Sequence, residues 1–227
     1  MRVARSHPRF ARLTGVTFDA YLRMRDDPGN LGNRMAYHDG VLEHISPDVA
    51  HDKGTRNLLY VVAAYCRAFA VPSRAVGSTT FRRGWPGELR GDGKEPDESF
   101  YLGADVARIA GKTSVDLEVD PPPSLWIEVD NWGGSASKFP LYAGLGVPEV
   151  WRYRARPRRL WFGRLDGGLY RKLAASAALP GLSSEMVLGL LDEYQNTWDA
   201  TRWSTWLETV WFPEHRQQLI DAGAGRG

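Results

Sequence analysis

An α/β fold, a mixed β-sheet flanked by α-helices, is what this sequence predicts, and three observations predict it. Residues 35–45 alternate as a hairpin does around Asp39-Gly40. Residues 47–69 carry apolar side chains at helical spacing. Beyond them, short apolar runs of strand character are interrupted by a short helical segment and by Gly- and Pro-rich turns. Helices mixed with strands in this way argue for a sheet covered by helices.

Taken in order, residues 17–25 read as a short helix with Phe18, Tyr21 and Leu22 on one side. Pro28-Gly29-Asn30 and Gly32-Asn33 stop it, since Pro and Gly break helices and Asn favours turns. Residues 35–37 and 41–45 pair across Asp39-Gly40, a strong turn dipeptide. The next helix begins near Pro47-Asp48, repeats Leu58, Val62, Tyr65 and Phe69 on one face, and ends before Val71-Pro72. His51 and Thr55 extend that face backwards. Strands are expected at 74–77, 97–102 and 124–130, with residues 84–94 as a Gly-rich charged loop between the first two. A short helix near 138–144 precedes strands at 149–153, 159–165 and 169–173. Ser183 is placed to cap a helix running to Tyr194, with Met186, Leu190 and Leu191 on its buried side. Residues 1–194 form the main domain. Residues 195–227 read as a Trp-rich helical extension, broken near Pro213 and ending in a loose Gly-rich tail.

Composition narrows the functional classes. A chain of 227 residues suits one domain with a terminal segment. The single cysteine, Cys66, excludes an internal disulfide and a Cys-based metal site, and fits a reducing cytoplasm. Cys66 itself reads as a small buried hydrophobe. Five histidines, none at ligand spacing, argue against zinc. The first 12 residues are basic but lack the apolar stretch of a signal peptide, and no run approaches a membrane span. A net charge of +2 does not by itself argue nucleic-acid binding, though it leaves room for a local basic patch.

Three positions carry candidate chemistry. Asp97 follows Pro96 at a strand start, where proline is tolerated. Glu128 lies in Leu125-Trp126-Ile127-Glu128-Val129-Asp130, where alternation puts Trp126, Glu128 and Asp130 on one face. A carboxylate in such an apolar strand must be paired or metal-bound. Lys138 follows at the start of the short helix. Two carboxylates on adjacent strands suit Mg²⁺ or Mn²⁺, which polarise a phosphoryl oxygen and activate a bound water. A nearby ammonium orients that water and offsets transition-state charge. On spacing alone, a turn aspartate and an ion-paired surface glutamate fit better than a metal site.

Context makes the pattern specific. The runs are Met35-Ala36-Tyr37-His38-Asp39-Gly40, Leu42-Glu43-His44-Ile45-Ser46-Pro47, Gly77-Ser78-Thr79-Thr80-Phe81-Arg82-Arg83 and Glu95-Pro96-Asp97-Glu98-Ser99-Phe100-Tyr101. Asp120-Pro121-Pro122-Pro123 leads into the Glu128 strand, and Leu141-Tyr142-Ala143-Gly144-Leu145-Gly146-Val147-Pro148-Glu149-Val150-Trp151-Arg152-Tyr153 completes the set. Together, over roughly residues 17–194, they resemble the Uma2-like (DUF820) family of restriction-type endonucleases in the PD-(D/E)XK nuclease superfamily. The resemblance implies a restriction-endonuclease-like core, a DNA substrate, a homodimer and a Mg²⁺ or Mn²⁺ cofactor. It implies Asp97 and Glu128 as metal ligands and Glu43 as a further ligand or water-holder. The catalytic lysine, which in the superfamily sits two residues after the glutamate, maps instead to Lys138, four residues before Tyr142; this chain has Asp130 at the usual position. Two departures stand out. Val41 follows the turn glycine where many relatives carry Glu, and Asn131-Trp132-Gly133-Gly134 replaces a hydroxyl- and arginine-containing stretch. Trp132 would either block DNA or stack on a base.

Other residues keep two readings. His51 is a substrate contact or a satisfied helix-end histidine, while His38 and His44 read as surface or strand-partner residues. Arg82 and Arg83 are phosphate contacts or solvated loop charges. Arg152, Arg154 and Arg156 alternate along one strand, as a solvated face or as a stripe tracking a nucleic-acid backbone. Trp203, Trp206 and Val210 form an apolar stripe that packs on the domain or on a second subunit. Three functions follow: a metal-dependent endonuclease, a non-catalytic nuclease-fold protein binding nucleic acid or a protein partner, and a hydrolase of another phosphorylated substrate.

Overall fold

The computed structural model describes residues 10–30, 33–45, 49–77, 79–130 and 138–224. The chain builds two sheets. The first is antiparallel, in the order β1 (Phe10–Thr14), β3 (Val41–Ile45), β2 (Arg34–His38), β6 (Gly91–Lys94), β5 (Phe81–Gly84). The second is mixed, in the order β11 (Leu169–Leu173), β10 (Arg158–Asp166), β9 (Glu149–Ala155), β8 (Leu125–Asp130), β7 (Glu98–Leu102), β4 (Ser73–Ala75). Among the described residues, only β8 and β9 run parallel. A parallel pair needs a crossover, and the segment containing α4 (Phe139–Gly144) supplies it.

Strand alternation assigns the two faces of the second sheet. Ile127, Val129, Trp151 and Tyr153 join the largest core, packed against α2 (Val49–Ala68) and α5 (Ser184–Thr197). Trp126 and Val150 point the other way, into a core shared with Leu141 and Tyr142 of α4 and with Ala36 and Phe81 of the first sheet. That second core joins the two sheets. A third, smaller core puts α1 (Phe18–Asp26) on the outer face of the first sheet, where Tyr21 stacks on Tyr37 at 4.9 Å. Gly93 is required there, because an added Cβ would lie 2.4 Å from the Tyr21 ring.

The structure corrects the sequence reading at four places. Residues 84–94 are not a loop: they contain the end of β5, a tight turn and β6. The strand β1, unanticipated, pairs along the whole of β3. The C-terminal helical segment does not break at Pro213. It runs as α6 (Ala200–Trp206), a wider π-type turn (Leu207–Trp211) and α7 (Phe212–Ala224). The π turn directly before Pro213 accommodates the missing N–H and the ring. The tail expected to be loose from Asp221 is helical to Ala224, and residues 225–227 lie outside the described residues. Trp203, Leu207, Phe212 and Leu219 enter the main core, and Trp203 donates its indole N–H to the Leu190 carbonyl at 3.0 Å. Of the apolar stripe, Trp203 and Trp206 therefore pack on the domain, whereas Val210 is exposed. No helix among the described residues is long and apolar enough to cross a membrane.

Candidate active site

The chain passes from the first sheet to the second through Glu95-Pro96-Asp97, between β6 and β7. Asp97 thus sits where the sheets meet. Its Oδ2 accepts from the Val129 backbone N–H at 2.6 Å, and its Oδ1 is paired with the Arg34 guanidinium of β2. Glu128 lies next to Val129 on β8, turned to the opposite face and only 5% exposed. Its Oε1 accepts from the Trp126 indole and lies 2.9 Å from Lys94 Nζ. Burial pushes the Glu128 carboxyl above its ordinary range; the Lys94 ammonium pulls it down, and the Asp97 charge pushes it up again.

Lys138, the residue before α4, reaches Glu43 of β3 at 3.4 Å. Burial lowers its pKa, and the charge of Lys94 lowers it further, against the pull of Glu128 and Glu43. Tyr142 closes the cluster from α4. Its ring lies 6.0 Å from Lys94 Nζ, and its buried hydroxyl has no hydrogen-bond partner among the described residues. Burial and then the charges of Glu128, Asp97 and Asp130 hold that phenol well above its usual range.

The structure thus brings together Glu43, Asp97, Glu128, Lys138 and Tyr142. Asp130 instead pairs with Arg152 at 2.6 Å. Arg82 is exposed and lies 3.4 Å from Asp26. Arg83 is not a loop residue but lies on β5, and it donates to the carbonyls of Leu117 at 2.6 Å and Gly144 at 3.2 Å. His38 holds Asp92 at 2.6 Å, consistent with a strand partner. Val41 is half-buried opposite Thr14 and His38. Trp132 and the side chain of His51 lie outside the described residues.

Two site residues escaped the sequence reading, Lys94 and Arg34. The missed signal was Pro86-Gly87, a turn dipeptide. It marks a hairpin whose second strand carries Lys94 towards Asp97.

The donor set fits a hard divalent cation. Among the described residues, Trp126 and Lys94 both contact Glu128 at Oε1, and no contact is made at Oε2. The unpartnered Tyr142 hydroxyl marks a polar demand that the described residues leave unmet. No group of three acidic, His or Cys side chains that could hold a metal occurs among the described residues. Two carboxylates, completed by water and phosphate oxygens, are the usual Mg²⁺ arrangement.

The family model described as Uma2, "Putative restriction endonuclease", matches residues 18–193. Among curated proteins nothing matches. Among solved structures, the crystal structure of a "putative nuclease belonging to DUF820" from Anabaena variabilis matches with a TM-score of 0.51 and 14% identity, covering 77% of this chain and 98% of that one. At that identity the likeness carries the fold.

Proposed function

The chain belongs to the Uma2 family of putative restriction endonucleases, and we propose that it hydrolyses phosphodiester bonds of DNA as a metal-dependent endonuclease. The observation that carries this reading is the convergence of Asp97 and Glu128, from the inter-sheet link and from β8, on a buried site that also holds Lys138. Asp97 and Glu128 would hold Mg²⁺ or Mn²⁺, which supplies Lewis-acid polarisation of the phosphoryl oxygen and a water of lowered pKa. Lys138 donates to the attacking water or to the developing phosphorane oxygens. Glu43 orients the Lys138 ammonium. Arg34 fixes the Asp97 carboxylate, and Lys94, 2.9 Å from Glu128, offsets part of the cost of burying its charge.

A second reading, a nuclease-fold binding protein without catalysis, draws on Arg34 and Lys94. Each metal-ligand candidate already has a basic counter-charge.

One experiment separates the two. Purified protein is incubated with supercoiled plasmid and single-stranded DNA in Mg²⁺, Mn²⁺ or EDTA, beside Asp97→Ala and Lys138→Ala. Cleavage that requires metal and falls by at least about a hundredfold in both variants is expected, the scale on which loss of one transition-state contact acts. Full activity in Asp97→Ala, or no cleavage in any metal, removes the endonuclease reading.

A further inference from the structure

We propose that Arg154 and Arg159 form a ledge that binds the phosphate backbone of DNA beside the Asp97–Glu128 site. The proposal rests on the nuclease reading for the identity of the polyanion. On β9, Trp151 and Tyr153 enter the main core. Arg152 and Arg154 alternate with them and so face the other way, beside their parallel neighbours Glu128 and Asp130. On β10, Arg159 stands directly opposite Arg154. The row Asp130, Arg154, Arg159 thus runs alongside the row that contains Glu128. Strand spacing sets the Arg154 backbone about 8 Å from that of Glu128, with Arg159 about 5 Å further out.

The arginines of this hairpin divide by partner. Arg158, on the opposite face from Arg159, lies 2.7 Å from Asp192 of α5. Arg152 lies 2.6 Å from Asp130. The side chains of Arg154 and Arg159 make no hydrogen bond or ion pair among the described residues, although Arg154 is half-buried. Like charges directly opposite each other weaken a strand pair. An anion spanning both guanidinium groups relieves that repulsion, and a guanidinium fork matches phosphate oxygens. A backbone with repeated phosphates is the partner that fits two such forks on one line leading from the site.

The test measures binding without turnover. In EDTA, the affinity for a short fluorescein-labelled DNA duplex is followed by anisotropy from about 50 to 200 mM salt. The Arg154→Ala/Arg159→Ala double variant is expected to bind on the order of tenfold more weakly at low salt, with the slope of log affinity against log salt reduced by about 2. The Arg154→Lys/Arg159→Lys variant should keep most of the slope. Arg164→Ala, on the same strand but on the other face, should match the wild type in binding, and no variant should melt below the wild type. Wild-type affinity and slope in the double alanine variant overturn the proposal, as does a wild-type protein that binds the duplex without salt dependence or not at all. Plasmid cleavage is scored separately. Arginine-dependent binding without metal-dependent cleavage keeps the ledge and removes the nuclease, whereas cleavage with arginine-independent binding does the reverse.

Discussion

At the scale of single residues, the site is governed by buried charge. Lys94 and Glu128 each have side chains 7% exposed and lie 2.9 Å apart. Removing one member of such a pair strands the other, a loss of about 3–5 kcal/mol. Lys94→Met is therefore expected to lower urea-unfolding stability by about that amount, and Lys94→Met/Glu128→Gln to recover much of it. A single variant as stable as the wild type would mean that Glu128 does not depend on Lys94. Asp92 gives a pH signature. It lies beside His38 and against Gly144, where an added Cβ would sit 1.9 Å from its Oδ2. Burial pushes its carboxyl up from 3.8 to about 6, against the pull of His38. A raised acid favours the folded state while protonated. Its contribution, up to about 3 kcal/mol before solvent screening, is present below 3.8 and lost as pH rises through about 6. Asp92→Asn should flatten the fall in stability between pH 4 and 6. An unchanged pH profile in that variant would show that Asp92 does not titrate in that window. That Asp97, Glu128 and Lys138 come together was legible in the sequence through their resemblance to family motifs. Lys94 and Arg34 were not, because their roles exist only once the sheets meet.

At the scale of elements, legibility follows local propensity. The hairpin around Asp39-Gly40, the long helix, β8 and the Ser183-capped helix stand close to where alternation, spacing and capping put them. The strand β6 reads Gly91-Asp92-Gly93-Lys94, a poor strand former by composition. Its glycines answer packing: a Cβ at Gly91 would lie 2.8 Å from Phe18, and one at Gly93 would meet Tyr21. Tertiary contact with α1 therefore overrides local preference, which no window of sequence reveals. The docking of α7 is set by a similar approach. Gly181 has φ +85°, and a Cβ there would lie 2.0 Å from the Leu219 carbonyl oxygen. Gly181→Ala is expected to cost on the order of 3 kcal/mol and to speed amide exchange along α7. Gly189, inside α5 with open space around it, gives the contrast. Gly189→Ala should stabilise by about 0.5–1 kcal/mol. Equal melting temperatures for the two variants would contradict the close contact between α7 and Gly181.

At the scale of the whole molecule, the site is a joint. Arg34, Glu43 and Lys94 come from the first sheet, Asp97 from the link, Glu128 from the second sheet, and Lys138 from the crossover. A cation that replaces part of the counter-charge of Arg34 and Lys94 on Asp97 and Glu128 binds only when both sheets are in place, so binding is linked to folding. A ligand at 100 times its dissociation constant adds about 2.7 kcal/mol of stability. In a chain of 227 residues, that corresponds to a rise in melting temperature of roughly 5–10 °C. Saturating Mn²⁺ is expected to produce such a rise in the wild type and none in Asp97→Asn or Glu128→Gln. Because this readout needs no substrate, it separates metal binding from cleavage. A wild-type protein whose melting temperature ignores Mn²⁺ would mean that Arg34 and Lys94 already satisfy both carboxylates. The joint would then be an ion-pair lock between sheets, and the binding-protein reading would take the place of the endonuclease.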